Sequence, residues 1–339
     1  MYDPLHDLSP GCNEKYPESY WANVSGVAPE HDGAVSGDID VDVAIIGAGY
    51  TGLSCALHLA REHGIKAHVL EANQTAWGCS GRNAGFILKS SGRKSYGQMA
   101  KQWGEEVMRG IYQEMAAGVD TVNSLIGEGI DCDRQSAGYI KVAHKPNKLK
   151  ELVELAKLQQ KMFGYDVEIL SQAEVRQQYM DDRNAYGAIR YQDGFGLNPL
   201  KLAWGYQKLA RQAGAKVHCA SPVTQWLSGD NKQKLHTPNG IVSAQKVVIA
   251  TNGYTPKGFH DLTTDRTLPV LSQIIVTEPL NEAQLAACNF LTSNVVMDTR
   301  ALKYYYRKLP DNRISPAKVQ KILITHNVYC RYSKAVFLR

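Results

Sequence analysis

The chain has no pair of cysteines spaced to hold a metal or to close a small loop. Its seven cysteines stand at 12, 55, 79, 132, 219, 288 and 330, without a CxxC pair or a cluster. An odd and scattered set argues against a disulfide framework and a zinc site, and fits a reducing cytoplasm. His58, His63 and His68 recur every five residues, which does not stack them on one helical face, so no metal is expected. A long apolar run is missing too. The longest such stretch, Val41 to Ala60, carries Asp42, His58 and three glycines, and it reads as strand, turn and helix rather than a membrane span. The opening MYDPLHDLSPGCNEKYPESYW has no apolar segment, so no secretory signal is expected. An excess of one charge is absent from most of the chain. The net charge is +5, and residues 315–339 alone hold five cations (Lys318, Lys321, Arg331, Lys334, Arg339) and no acid. Setting those five aside leaves 33 basic against 33 acidic residues, so no nucleic-acid face is expected.

What is present is a chain of 339 residues, 44% apolar and 21% charged, long enough for two folded domains. Residues 1–38 read as an extended arm anchored by Tyr16, Tyr20 and Trp21. Asp42 to Ile46 is a short β-branched run of the kind buried in a parallel sheet. TGLSCALHLAREH then has helical spacing and stops at Gly64, and AHVLE follows as a second strand. Further on, the patterning predicts a long helix from Trp103 to Ile126, a strand at 138–143 and a helix from Lys148 to Phe163. It continues with a strand over 186–199 running into Pro199, which suits the first turn of a helix from Leu200 to Gln212. Strands are predicted at 215–220, 223–227, 233–236, 244–254, 268–280 and 301–309.

The strongest chemical signal is Gly47-Ala48-Gly49-Tyr50-Thr51-Gly52, after a strand and opening a helix. The first glycine permits the tight turn, the second lets a pyrophosphate approach the backbone, and the third lets the helix sit close to the strand. The phosphates would rest on free N–H groups at the positive end of the helix. Glu71 lies 19 residues beyond Gly52, at the end of the second strand, where a carboxylate accepts both hydroxyls of an adenosine ribose. Soon after comes Cys79-Ser80-Gly81-Arg82-Asn83-Ala84-Gly85-Phe86, a loop of small residues that could cross a second phosphate or a ring edge. A nicotinamide enzyme has no need of that second cradle.

DVAIIGAGYTGLSCALHLA, VLEAN, WGCSGRNAGF and KVVIATNGY together resemble the FAD-dependent D-amino-acid oxidase superfamily, with the strongest likeness to gamma-glutamylputrescine oxidoreductases. The resemblance runs from about Tyr16 to Ile314. It implies an α/β fold with tightly held FAD: a Rossmann-like FAD-binding domain and a second, mostly antiparallel β-sheet substrate domain. On this division residues 39–95 and 197–262 form the first, 96–196 and 263–314 the second, and 315–339 an atypical basic tail. Carried over by position, Gly47, Ala48, Gly49 and Gly52 would hold the pyrophosphate, and Glu71 and Ala72 the ribose end. Ser80 and Arg82 would lie near the phosphates, with Ala84, Gly85 and Phe86 along the flavin. Val223 would offer its backbone to the adenine, and Thr251, Asn252 and Gly253 would pass the cofactor. Cys79 is adjacent to this loop but is not placed like the covalent flavin attachments of some relatives.

The sequence departs from the family after Ile314. There the resemblance calls for a second glycine-rich flavin loop and a further helix, whereas residues 315–339 contain no glycine. This end reads as foreign, truncated or frame-shifted. It is expected to leave one flavin wall incomplete and the sheet edge after Ile314 unpaired, with weak flavin binding.

Amine oxidation needs the amine neutral, and deprotonating an alkyl ammonium near its ordinary pKa costs about 4 kcal/mol at pH 7. An apolar aromatic lining lowers that cost. Tyr304 and Tyr306, on one face of a predicted strand, are candidates for the lining, with Tyr305 on the other face. Arg300 and Arg307 could hold a substrate carboxylate, although a surface position is the plainer reading of either. No dedicated catalytic base is evident. The expectation is an FAD-dependent oxidoreductase acting on a small amine such as gamma-glutamylputrescine, returning electrons to oxygen or another acceptor. The rivals are a D-amino-acid or N-methyl amino acid oxidase or dehydrogenase, and an inactive fragment with weak flavin binding.

Overall fold

The computed structural model describes residues 9–90, 94–229, 231–264, 272–301 and 303–318, together with residues 2, 6, 7, 92 and 266. Two sheets dominate. The first has six strands in the order Lys216–His218, His68–Leu70, Ile39–Ile46, Gly240–Ile249, Gln233–Thr237, Gln225–Ser228. Its first four strands run parallel and the last two pair antiparallel. Ile39–Ile46 is central because its β-branched residues are buried on both faces, with Ala44 and Ile45 fully inaccessible. The helix Tyr50–His63 returns over this strand and buries Gly52, Leu53, Ala56 and Leu57. Those residues pack with Val43, Ile45, Leu209 and Val217 into one core cluster. All six strands fall within 39–95 and 197–262.

The second sheet has seven strands in the order Gln273–Ile274, Ile314–Lys318, Tyr304–Lys308, Val295–Asp298, Tyr139–Val142, Gly187–Tyr191, Glu168–Ser171. One junction, between Val295–Asp298 and Tyr139–Val142, is parallel. The other five are antiparallel. One face packs Ile140, Val142, Leu170, Val175 and Val296. The opposite face carries Tyr139, Tyr191, Val295 and Met297 toward Phe86 and the helix Pro146–Phe163.

Several sequence expectations are corrected. The long helix predicted from Trp103 to Ile126 is Glu105–Gly127, and a separate, unforeseen helix, Tyr96–Trp103, ends at Gly104 just before it. Ser95 supplies the start the pattern did not reveal, through a capping box with Gln98. The strand predicted at 223–227 begins at Gln225, leaving Val223 in the preceding loop. Of the strand predicted at 268–280, Gln273–Ile274 forms a ladder, Thr277 and Leu280 N–H donate singly to Ile314 O and Asn312 O, and residues 268–271 lie outside the described residues. The strand Val295–Asp298 and the helix Glu282–Cys288 were not foreseen. The edge after Ile314 is not bare: Ile314–Lys318 pairs with Tyr304–Lys308 on one side and Gln273–Ile274 on the other. The rest of the basic tail, 319–339, lies outside the described residues.

The N-terminal arm is fastened to the first sheet's loops. Asn73, 1% exposed, accepts from Glu14 N–H (2.9 Å) and donates to Pro10 O (2.9 Å). Tyr16 donates to Thr75 O (2.6 Å), and Trp77 Nε1 donates to Lys15 O (2.9 Å). Trp21 Nε1 reaches Asn83 O at 2.9 Å, so the arm also braces the second glycine loop.

Candidate functional site

The C-terminal ends of the parallel strands open into a cleft walled by Gly47, Gly49, Glu71, Ser80, Val223 and Thr251. Its floor is the turn between Ile46 and Tyr50. Gly52 is fixed there by contact: a Cβ at this position would lie 1.9 Å from Gly47 O. The helix Tyr50–His63 starts without a side-chain cap from Gly49 and without an acid in its first turn. Tyr50 N–H is taken by Ser80 Oγ at 3.1 Å. Among the described residues, Thr51 and Gly52 N–H find no acceptor. An uncapped helix start with free N–H groups favours an anion.

Glu71 stands at the far side of this turn. Its carboxylate accepts from Ala48 N–H (2.8 Å) and Asn73 N–H (3.0 Å), leaving further lone pairs for a ligand. Burial pushes its carboxyl above the usual range, while the backbone donors of Asn73, Ala48 and Ala72 pull the other way. Ala48 therefore spends its N–H on Glu71, and Ala72 O is taken by Asn13 N–H (2.9 Å) from the arm. Pro222, Val223 and Phe259 give the cleft an apolar end beyond Glu71.

The second glycine loop closes another side. Arg82 donates to Tyr254 Oη (2.9 Å) and Gly78 O (3.3 Å), tying the loop to the segment after Thr251 and Asn252. Gly253 N–H donates to Asn252 Oδ1 (2.7 Å). Burial raises the Cys79 thiol, which keeps it protonated. Ala84 leads into Gly85, which sits at φ +67°, where a Cβ would meet Leu197 O at 2.1 Å. Phe86 then pairs with Gly196 and presents its ring to the second sheet.

There the structure redistributes the predicted residues. Tyr305, not Tyr304 or Tyr306, faces the loop, its ring edge-on to Phe86 at 5.7 Å. Tyr306 turns to the other side, donating to Asp182 Oδ2 (3.0 Å) beside Phe290. Tyr304 lies under the Arg300 guanidinium. Arg300 is itself ion-paired with Asp298. Arg307 is not on the surface: it is 1% exposed and donates to Gln135 Oε1 (2.8 Å) and Leu197 O (2.6 Å). Burial lowers its pKa to about 10. The sheet face toward Phe86 is aromatic, with Tyr139 stacked on Tyr191 at 4.2 Å. Sequence reasoning missed that pair, because only strand pairing brings it to Phe86.

A parallel sheet with a glycine turn, a carboxylate at the end of the second strand and an antiparallel sheet beside it define a flavoprotein oxidoreductase fold. The family model for FAD dependent oxidoreductases matches residues 42–318, and the chain belongs to that family. It is 32% identical over 301 residues to gamma-glutamylputrescine oxidoreductase of Escherichia coli, covering 88% of this chain and 69% of that one. It is also 32% identical over 279 residues to the probable oxidoreductase OrdL of Haemophilus influenzae, covering 80% of this chain and 63% of that one. The chain thus spans about two thirds of the length of these curated relatives. Its fold is similar to that of L-proline dehydrogenase from P. horikoshii, with TM-score 0.66 and 17% identity over 89% of this chain and 77% of the other. FAD is the cofactor of this family, and the uncapped helix start beside a buried carboxylate fits its pyrophosphate and ribose. No helix among the described residues is long and apolar enough to cross a membrane.

Proposed function

We propose that this chain is an amine oxidoreductase of the FAD-dependent family, acting on a small amine of the gamma-glutamylputrescine kind. The observation that carries the reading is the aromatic sheet face of Tyr139, Tyr191 and Tyr305 set against Phe86, at the far end of the 79–86 loop whose start, Cys79 and Ser80, lines the cleft at the glycine turn. FAD, when bound, supplies the acceptor for a hydride from the carbon next to the amine nitrogen.

The chain's own residues divide the remaining work. Gly47, Gly49 and the free N–H groups of Thr51 and Gly52 bind the pyrophosphate, and Glu71 orients the adenosine ribose. Ala48 and Ala72 hold Glu71 and its strand end rather than the cofactor. Pro222 and Val223 cover the adenine. Ser80 shapes the helix start by accepting from Tyr50 N–H, and Arg82 pins the loop over the 251–254 segment. Ala84, Gly85 and Phe86, and with them Thr251, Asn252 and Gly253, would lie along the isoalloxazine, with Gly85 held in place through Asn83 and Leu197. Tyr139, Tyr191 and Tyr305 exclude water and reduce the cost of holding the amine neutral, which is about 4 kcal/mol at pH 7 in water.

The test is spectroscopic. Purified protein loaded with FAD should be yellow, and anaerobic gamma-glutamylputrescine should bleach the flavin band. A loaded protein that no amine bleaches ends this reading. The bleaching rate should rise with pH as free amine becomes available, and a rate flat from about pH 6 to 10 would count against it.

A further inference from the structure

A second cavity lies between the seven-stranded sheet and the helices Tyr96–Trp103 and Pro146–Phe163. Lys89, Tyr96, Tyr139, Lys141, Met297 and Lys303 are among its walls. The strand registers connect it to the flavin loop. Lys141 pairs with Met297, and Met297 pairs with Tyr305, so the three side chains stand in one row on one face. Tyr305 is the end of the row that meets Phe86. Lys141 is two strands farther on, about 10 Å at the usual strand spacing.

Lys141 is half-buried on the cavity wall, and its ammonium has no hydrogen-bond or ion-pair partner among the described residues. Burial and the nearby charge of Lys303 lower its pKa to about 8. Other cations on the same walls are answered, Lys89 by Asp193 (2.5 Å) and Arg300 by Asp298. From the helix side comes Tyr96, 4% exposed, whose hydroxyl has no partner either. Burying a hydroxyl without a partner is costly, and an ammonium drawn partly out of water gives up hydration that no protein group replaces. Here a cation and a donor go unsatisfied on the walls of one cavity. Both can donate to an acceptor that enters the cavity, and the carboxylates on its walls do not serve them, since Glu151 is paired with Lys148 and Glu154 with Lys157.

We infer that this cavity seats a carboxylate carried by the substrate far from the carbon that is oxidised, with Lys141 as the specificity-determining cation and Tyr96 as a second donor. The inference rests on the amine-oxidation reading above and narrows it. An α-amino acid holds its carboxylate one bond from the reacting carbon, too near to span the row from Tyr305 to Lys141. An ω-amine with a distal carboxylate has the reach.

The experiment uses the FAD-loaded full chain, as wild type, Lys141→Met and Lys141→Arg, with gamma-glutamylputrescine and its analogue in which the carboxylate is an uncharged amide. A hydrogen bond to a charged group is worth enough for the wild type to show a KM about 30-fold lower for the acid than for the amide. In Lys141→Met that ratio should fall to near one with kcat little changed, and Lys141→Arg should keep most of it. Glutarate binding by calorimetry reads the seat without turnover, and should weaken at least 10-fold in Lys141→Met. An unchanged acid-to-amide ratio in Lys141→Met, or equal glutarate binding by wild type and variant, overturns the inference and leaves amine oxidation standing. Glutarate binding that depends on Lys141, in a protein that oxidises no amine, supports the seat and defeats the amine-oxidation reading instead.

Discussion

The cleft at the six-stranded sheet is made of backbone, whereas the face of the seven-stranded sheet beside Phe86 is made of side chains. In the cleft the working groups are N–H groups of one turn, a carboxylate 19 residues past the last glycine, and a loop soon after it. Across the way, Tyr139, Lys141, Met297 and Tyr305 come from three strands and are aligned only by pairing. The first wall is local and braced within itself, with Glu71 holding Ala48 and Ser80 holding Tyr50, and among the described residues only backbone N–H groups at the helix start are left open. The second contains groups that are not satisfied, Lys141 and the Tyr96 hydroxyl. Binding a constant cofactor asks for rigid backbone. Choosing a substrate asks for side chains that stay incomplete until it arrives.

The largest effect should come from breaking the backbone wall. Gly52→Val places carbon atoms against Gly47 O, which a Cβ alone would approach to 1.9 Å. The helix must then lift from the strand, and we expect a loss of about 3 kcal/mol in urea unfolding with no FAD retained. Retention of FAD by a stable Gly52→Val protein would show that the turn is not the cradle.

The next effect sharpens the same wall without dismantling it. In Glu71→Gln one oxygen that accepts from backbone N–H is replaced by a donor, and FAD affinity should weaken about 30-fold, near 2 kcal/mol. Burial already raises the Glu71 carboxyl, and ribose hydroxyls that donate to it favour the ionised form. FAD binding should therefore weaken as pH falls through that raised range, and the dependence should vanish in Glu71→Gln. Fluorescence of released FAD across a pH series measures both.

The smallest effect has the opposite sign and belongs to the side-chain wall. The Lys141 pKa is lowered from 10.5 to about 8, so the unfolded chain binds more protons between those values. Stability of the wild type should rise with pH through that window, because the penalty on the half-buried cation is present below it and removed above it. Lys141→Met should raise stability at pH 7 by about 1 to 2 kcal/mol, after allowance for partial solvation, and flatten the pH dependence. A Lys141→Met protein that is less stable at pH 7 would mean that the ammonium is already satisfied in the folded chain.

This contrast also explains what the sequence disclosed. The glycine turn, the helix to Gly64, Glu71 and the 79–86 loop were legible because they are contiguous in the chain, and Gly52 answers a steric demand from Gly47 O five residues before it. Pro199 opening a helix was legible for the same reason, although the cap itself is Asn198, which accepts from Leu200 and Lys201 N–H. The second sheet was harder. The alternation of Tyr304, Tyr305 and Tyr306 was visible, but which side faced Phe86 was not, since a period of two fixes faces relative to each other and not to a partner. Val295–Asp298 was overlooked because a four-residue strand between loops has little pattern to show. Arg307 looked like a surface charge because nothing local announces that Gln135 and Leu197 will surround it.

The parallel junction at the centre of the seven-stranded sheet also bears on how the chain is made. Lys141 pairs with Met297, roughly 150 residues later, and four of the six strands of the first sheet are translated in between. At ordinary elongation rates of about 5 to 20 residues per second, the second strand follows the first by about 8 to 30 s. Once Gly187–Tyr191 has been made, about a third of the way through that interval, it can pair with Tyr139–Val142 on one side while the other edge waits. A nascent chain held open in this way is a client for a holding chaperone, and the same open edge is where two crowded ribosomes would let neighbouring copies cross-pair.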